Sequence, residues 1–445
     1  MKGKLILYTL VAAIGGFLYG FDTAVINGAM PFFTGHFQLN DVMTGWAVSS
    51  ALLGCIIGAI GVGKPGDIYG RRQMLKISAV LFLVSAIGTG LAPEINSFIM
   101  FRFLGGLGVG AASVLSPMYI SEIAPAKYRG RLIVSFQLAL VVGILIAFFV
   151  DYLLINTGTN NWRYMFLSES FPALGFLILL FYVRKSPRWL VQKGEIEEAE
   201  KTILELNPNT NSKDILVEIL KTIDLEKKEK QEKLFRKPNL RFVLLGITIG
   251  LFSQFTGVAI VFYYATDIFR AAGFSTDSAL GQTVILGVTN LSFTIIAMYL
   301  IDKVGRKSLL LVGTLGMAIT LGMFAWAFYS NQLEGWILLA LLIAYVAFFA
   351  SSMGAVVFVL LAEIFPNNIR SRGVAIGSFS NWVVSGSITF LFPIVVGAFN
   401  DGKGIGYSFA FFSIMTLIGF FFFKKFLFET TNISLEEIEL RNKVK

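Results

Sequence analysis

The sequence predicts an all-α membrane protein whose twelve transmembrane helices form two six-helix parallel repeats. Of its 445 residues 55% are hydrophobic and only 15% charged, with a mean hydropathy of +0.72, whereas soluble domains carry about 25% charged residues. Apolar runs long enough to cross a ~30 Å hydrocarbon core start near residues 5, 44, 77, 97, 132, 164, 241, 278, 308, 336, 373 and 406. Two motifs then recur in the same order: Asp67-Ile68-Tyr69-Gly70-Arg71-Arg72 returns as Asp302-Lys303-Val304-Gly305-Arg306-Lys307. Glu122-Ile123 with Pro125, Arg129 and Arg131 returns as Glu363-Ile364 with Pro366, Arg370 and Arg372. The matched residues of the second motif are all displaced by one constant distance. A half duplicated within apolar sequence marks repeats, and an even number of spans in each relates them by an axis along the membrane normal.

Four segments follow from this pattern: an N-terminal six-helix bundle at 1–183, a cytoplasmic helical linker at 184–240, a C-terminal six-helix bundle at 241–428 and a cytoplasmic tail at 429–445. Orientation rests on the basic residues. With a cytoplasmic N-terminus, all but four of the 37 Lys and Arg fall on the inner side, the exceptions being Arg102, Arg163, Arg270 and Lys403, a strong positive-inside bias. The net charge of +9 is therefore spread over short inner loops and forms no single nucleic-acid-binding face. The first apolar run reads as a span and not as a cleavable signal peptide. In the linker, Glu and Lys interleave with Ile196, Ala199, Ile203 and Leu204, the spacing of an amphipathic helix, and a second charged helix is expected from about Asp214 to Lys233.

Gly16 with Gly20, Gly54 with Gly58, and Gly106 with Gly110 place small residues four apart, which lets helices approach closely in lipid. The run Gly105 to Gly110 lacks the flanking strand and Lys-Ser/Thr of a phosphate loop, so it reads as packing. Cys55 is read as core, His36 as a surface histidine, and Asp151 and Asp267 as interfacial, solvated residues.

Charges inside spans are the informative exceptions, since one at a helix centre costs about 2.5 to 3.5 kcal/mol on insertion scales. Asp22 in the first span and Arg102 in the fourth fall at similar depth, roughly 8 to 10 Å below the outer surface at 1.5 Å per residue. As a permanent ion pair they would only orient two helices. Alternatively Asp22 ionises beside Arg102 and takes up a proton when Arg102 withdraws, which moves a proton across the membrane. Glu169 in the sixth span is a candidate third member. Two parallel repeats rocking about a midplane site give alternating access. At the inner ends, Asp67, Arg71, Glu122, Arg129, Arg131, Asp302, Arg306, Glu363, Arg370 and Arg372 are read as a charge network closing that side, or as topology determinants.

These residues, with Pro117 to Glu122, Ser186-Pro187-Arg188-Trp189-Leu190 and Glu363-Ile364-Phe365-Pro366, resemble the sugar porter family of the major facilitator superfamily over nearly the whole chain. The resemblance implies the major facilitator fold and places Asp22 at the aspartate of proton-coupled members, with Arg102 at its partner. It further implies sugar contacts at Gln137, Gln254, Asn290, Asn381 and Trp382, gate tyrosines at Tyr263 and Tyr264, and Phe358 at a tryptophan position of the tenth span. Such residues suit a neutral sugar, whose hydroxyls need donors and acceptors and whose C–H face stacks on an indole; each amide alone is equally ordinary interhelical glue. The chain departs from the family pattern at Ser253, Ala259, Ile144 and Phe358, where polar contacts are shortened or lost, at Gly354-Ala355, which lacks the helix-breaking proline, and at Ile68 and Lys185 in the inner motifs.

Together these readings predict a membrane protein of the cell membrane, bacterial inner membrane in type, with both termini cytoplasmic. It is expected to act as a monomer in the lipid bilayer, cotransporting a monosaccharide with a proton. A uniporter with a structural Asp22–Arg102 pair and a membrane sugar sensor are the alternatives. No enzymatic activity, metal, cofactor or nucleic-acid partner is expected; the proton is the co-transported ion.

Overall fold

The computed structural model describes residues 3–125, 128–206, 211–228, 234–235, 237–330, 335–365, 369–399, 403–427 and 429. It contains twelve helical stretches long and apolar enough to cross a membrane, and no strand among the described residues. Backbone packing divides the chain into two units, Met1–Phe37 with Ser50–Lys230, and Gln38–Ser49 with Gln231–Lys445.

The N-terminal half runs α1 (Gly3–His36), α2 (Asp41–Gly61), α3 (Gly63–Tyr69), α4 (Arg71–Gly90), α5 (Ile95–Ile123), α6 (Arg129–Leu154), α7 (Asn161–Ser168) and α8 (Ser170–Tyr182). The linker helices α9 (Pro187–Gln192), α10 (Ile196–Leu206) and α11 (Ser212–Lys228) follow. The glycines singled out in the sequence sit where helix backbones meet. A Cβ built at Gly16 or Gly20 of α1 would run into the Phe136 or Leu140 carbonyl of α6, and one at Gly143 of α6 into the Phe17 carbonyl of α1. Gly54 and Gly58 of α2 meet the Phe103 and Leu107 carbonyls of α5 in the same way, and Gly106 and Gly110 answer at Ala51 and Cys55. Without a hydrophobic driving force between helices in lipid, such contact is what holds them together. The sixth span is interrupted at Glu169, between α7 and α8. Pro172 has no N–H for the carbonyl of Ser168, and the ladder breaks there.

The linker folds on itself. Its apolar stripe packs Ala199, Ile203, Leu216 and Ile223 with Trp189, Leu190 and Val191 of α9. Ser186 caps α9, its hydroxyl accepting from the Trp189 N–H at 3.3 Å, with Pro187 at the first helical position, where no amide is missed.

The C-terminal half comprises α12 (Lys237–Phe255), α13 (Val258–Tyr263), α14 (Ala265–Ala271), α15 (Thr276–Val304), α16 (Arg306–Tyr329), α17 (Gly335–Ser351), α18 (Met353–Ile364), α19 (Arg370–Ala398) and α20 (Gly404–Phe426). The seventh span is broken at Gly257, whose φ of +80° is open to glycine without strain. The tenth breaks at Ser352, with φ −129° and ψ −90°, even though the proline is absent. Gly70 and Gly305, the shared glycine of the duplicated motif, have φ of +88° and +93° at the α3–α4 and α15–α16 turns, so the motif conserves a left-handed corner between its two copies.

Overpacking costs typically 1–3 kcal/mol, and the Gly20 seam abuts backbone that cannot rotate away. Gly20→Val is expected to lower the melting temperature of purified protein by several degrees, whereas Gly35→Ala, with open space around it, should leave it unchanged.

Candidate functional site

In the N-terminal unit, Asp22 and Arg102 meet, as their shared depth allows. Arg102 is 1% and Asp22 2% exposed; one Nη of Arg102 donates to the Asp22 carboxylate at 2.5 Å and the other to the Asp22 main-chain carbonyl at 3.3 Å. The guanidinium lies over the Phe166 ring, 5.5 Å from its centroid. Room for this comes from Gly105 on α5, where a side chain would collide with Ser85 of α4. Glu169, 1% exposed, is delivered to the same place, beside Asp22, by the α7–α8 interruption. The cluster therefore holds one cation and two buried acids. Gln137, also in this unit, is half-buried on α6.

In the C-terminal unit the amides form a second cluster. Gln254 donates from Nε2 to Oδ1 of Asn381 at 3.2 Å, Asn381 donates from Nδ2 to the Ser253 hydroxyl at 2.6 Å, and Ser253 donates to the Gly250 carbonyl at 2.7 Å. The chain therefore uses Ser253, which sequence comparison marks as a loss, to orient Asn381. The Oε1 of Gln254 is buried with no hydrogen-bond partner among the described residues, an acceptor available to a hydroxyl. Asn290 is 3%, Trp382 9% and Tyr263 6% exposed, while Phe358 is 51% exposed. Tyr264 is buried and donates to the Thr389 carbonyl at 2.8 Å, which fixes the short helix after the Gly257 break to α19.

The inner motifs build the same joint in both units. Arg71 is 2.9 Å from Glu122 and 3.0 Å from Asp67, and caps α3 through the Gly66 carbonyl at 2.8 Å. Arg306 is 3.4 Å from Glu363 and caps α15 through the Ile301 carbonyl at 3.1 Å. The side chain of Asp302 lies outside the described residues. Arg129 and Arg131, expected to partner the acids, are instead exposed and form no ion pair among the described residues, while Arg71 pairs with one oxygen of Glu122. Arg370 donates to the Phe365 carbonyl at 3.3 Å, and Arg372 is half-buried.

Two features escape sequence reading. Glu429, beyond the last span, accepts from the backbone N–H groups of Arg306 and Lys307 at 2.9 and 3.1 Å, a carboxylate at the positive end of α16. In the first unit Lys185 turns to the linker and pairs with Glu195 and Glu198 at 3.1 and 3.3 Å. Beside it Glu205 of α10 accepts from Lys4 at 3.1 Å, Tyr8 at 2.7 Å and Arg184 at 3.1 Å, tying the linker to the start of α1. Burial opposes the charge of Glu205, yet the hydrogen bonds from Tyr8 and Lys4 and the charge of Arg184 hold its carboxyl below the ordinary glutamate value. Asp151 is not solvated, contrary to its reading from sequence; it is 0% exposed.

Breaking a buried pair from one side costs about 3–5 kcal/mol because a charge is left unpaired. Arg102→Leu is therefore expected to destabilise the protein more than Asp22→Asn in denaturation of the purified protein, and Asp22→Asn added to Arg102→Leu should restore part of the loss. At the linker, a carboxyl held below its unfolded value stabilises fully above that value and loses its effect as pH falls. Hydrogen exchange in α10 should accelerate below about pH 4, and Glu205→Gln should abolish that acid-dependent step.

The family model "Sugar (and other) transporter" matches residues 8–441. The D-xylose-proton symporter of Escherichia coli is 39% identical over 97% of this chain and 94% of its own length, and the arabinose-proton symporter of Bacillus subtilis is 36% identical over 98% and 95%. The inward-open structure of the E. coli xylose transporter superposes with a TM-score of 0.87 at 37% identity, covering 98% of this chain and 99% of that one. With its twelve apolar helices and duplicated inner joints, this chain is a multi-pass membrane protein that belongs to the Sugar (and other) transporter family.

Proposed function

We propose that this protein carries a neutral monosaccharide together with a proton across the bacterial inner membrane by alternating access, as a monomer with both termini and the linker in the cytoplasm. The buried Asp22–Arg102–Glu169 cluster carries this reading. An acid bonded to Arg102 keeps its negative charge; the same acid, buried and deprived of the guanidinium, takes a proton. Glu169 supplies a second buried carboxyl beside the pair. Motion of α5 relative to α1 thus converts a change of shape into proton uptake or release, and no metal or organic cofactor enters the step.

Sugar recognition is assigned to Gln254, Asn381, Asn290 and Trp382 in the C-terminal unit, with Tyr263, Tyr264 and Phe358 along the route there; Gln137 is the residue assigned to sugar in the N-terminal unit. The unpartnered Gln254 oxygen and the amide relay from Ser253 offer acceptors and donors without net charge, as an uncharged polyol requires. Relatives named for xylose and arabinose make pentoses the first compounds to test. Arg71 with Asp67 and Glu122, and Arg306 with Glu363 and Asp302, are assigned to holding the linker-side helix ends together during the cycle, with Arg370 and Arg372 flanking them.

In proteoliposomes, an inward pH gradient should drive sugar above its external concentration, and Asp22→Asn should abolish accumulation while sugar exchange between equal pools continues. Uptake indifferent to the imposed gradient in the unsubstituted protein would make this a uniporter with a structural ion pair.

A further inference from the structure

Asp151 is a buried acid for which the cluster above has no use. It lies three residues from the end of α6, about 5 Å along the helix from Leu154, yet is completely enclosed. Neither carboxyl oxygen has a hydrogen-bond partner among the described residues. The group is pressed against Gly28 of α1: a Cβ there would strike its carboxyl. Gly28 continues the stripe of Gly16 and Gly20, so Asp151 closes the end of the α1–α6 seam that lies away from the linker.

The titratable groups on the helices packed against this end of α6 are engaged elsewhere. On α1, Asp22 is bonded to Arg102 of α5, and His36 is exposed and packs on Phe37 and Trp162. On α7, Arg163 donates to the carbonyls of Gly90 and Ala92 at 3.1 and 2.8 Å, and Tyr164 is exposed. None of them, nor Arg129 or Arg131 at the other end of α6, forms an ion pair with Asp151. An ionised carboxylate enclosed with no cation among the described residues, and with only the backbone N–H of Gly28 beside it, is strongly disfavoured, whereas the neutral acid fits.

We propose that Asp151 is a second proton-binding site of this transporter: it holds a proton while α1 and α6 are closed at Gly28, and releases it to solvent when this end of the seam parts. One turn from the helix end, a small separation suffices to wet it, and ionisation then opposes reclosure. High pH accordingly favours the parted seam, independently of Asp22.

The inference rests on the protein being a sugar transporter but not on proton coupling at Asp22. Sugar exchange between equal pools moves no net protons, so in proteoliposomes of Asp22→Asn its rate should still change several-fold between pH 6 and 9, and Asp22→Asn with Asp151→Asn should be flat. A flat profile in Asp22→Asn alone, or an unchanged response in the double variant, overturns the proposal and leaves sugar transport standing. Infrared spectra of the purified protein provide a readout free of transport. A protonated-carboxyl band that persists in Asp22→Asn should diminish in Asp151→Asn, and a band identical in both refutes the site. Should Asp151→Asn fail to fold, Gly28→Ala, which forces the seam apart, is expected to diminish the same band; an unaltered band counts against the proposal equally.

Discussion

A guanidinium and a carboxylate removed from water between α1 and α5 set the terms for the rest of the N-terminal unit. Enclosing two charges is costly unless their geometry is good and their remaining polar atoms are served. Here a second Arg102 donor reaches the Asp22 carbonyl, Phe166 offers an aromatic face and Glu169 a further buried carboxyl, while the Arg102 Nε has no partner among the described residues. That geometry demands close helices. Gly105 removes the side chain that would separate α5 from Ser85 of α4, Gly16 and Gly20 seat α1 on α6, and Pro172 breaks the sixth span where Glu169 must turn inward. These glycines and Pro172 are thus the supports of a charge cluster.

Each duplicated motif makes one joint: a left-handed glycine turns the chain, the arginine after it caps the preceding helix, and the glutamate of the second motif receives the arginine. The copies diverge at the next layer. Around α16 a carboxylate from beyond the last span sits on the helix N-terminus, while beside α4 the chain carries Lys185, and its charge is spent on Glu195 and Glu198 of the linker. The same substitution that weakens the likeness between the halves attaches the linker to the first of them.

In the C-terminal unit, substitutions that look like losses along the chain are absorbed in space. Ser253 is short, but its hydroxyl lies within 2.6 Å of Asn381 and holds that amide toward Gln254. The tenth span bends at Ser352 without proline, its hydroxyl turned to the Phe348 carbonyl. A polar residue of either length can satisfy the same partner when backbone positions adjust by a fraction of a helical turn, and one sequence does not reveal that adjustment.

Membrane residence, the twelve spans, the two repeats, the close-packing glycines and the depth match of Asp22 with Arg102 were all legible from the chain. Each depends on local hydropathy, on periodicity or on the rise of a helix, which neighbours in sequence determine. Tertiary structure alone decided which acids share a neighbourhood: Asp151 reads as an interfacial residue one turn from a helix end until Gly28 of α1 covers it, Arg129 and Arg131 read as members of the inner charge network until Arg71 pairs with both Asp67 and Glu122, and Glu429 reads as tail until it reaches α16. Burial and pairing of a charge depend on surfaces brought together from distant parts of the chain, and no local pattern encodes them.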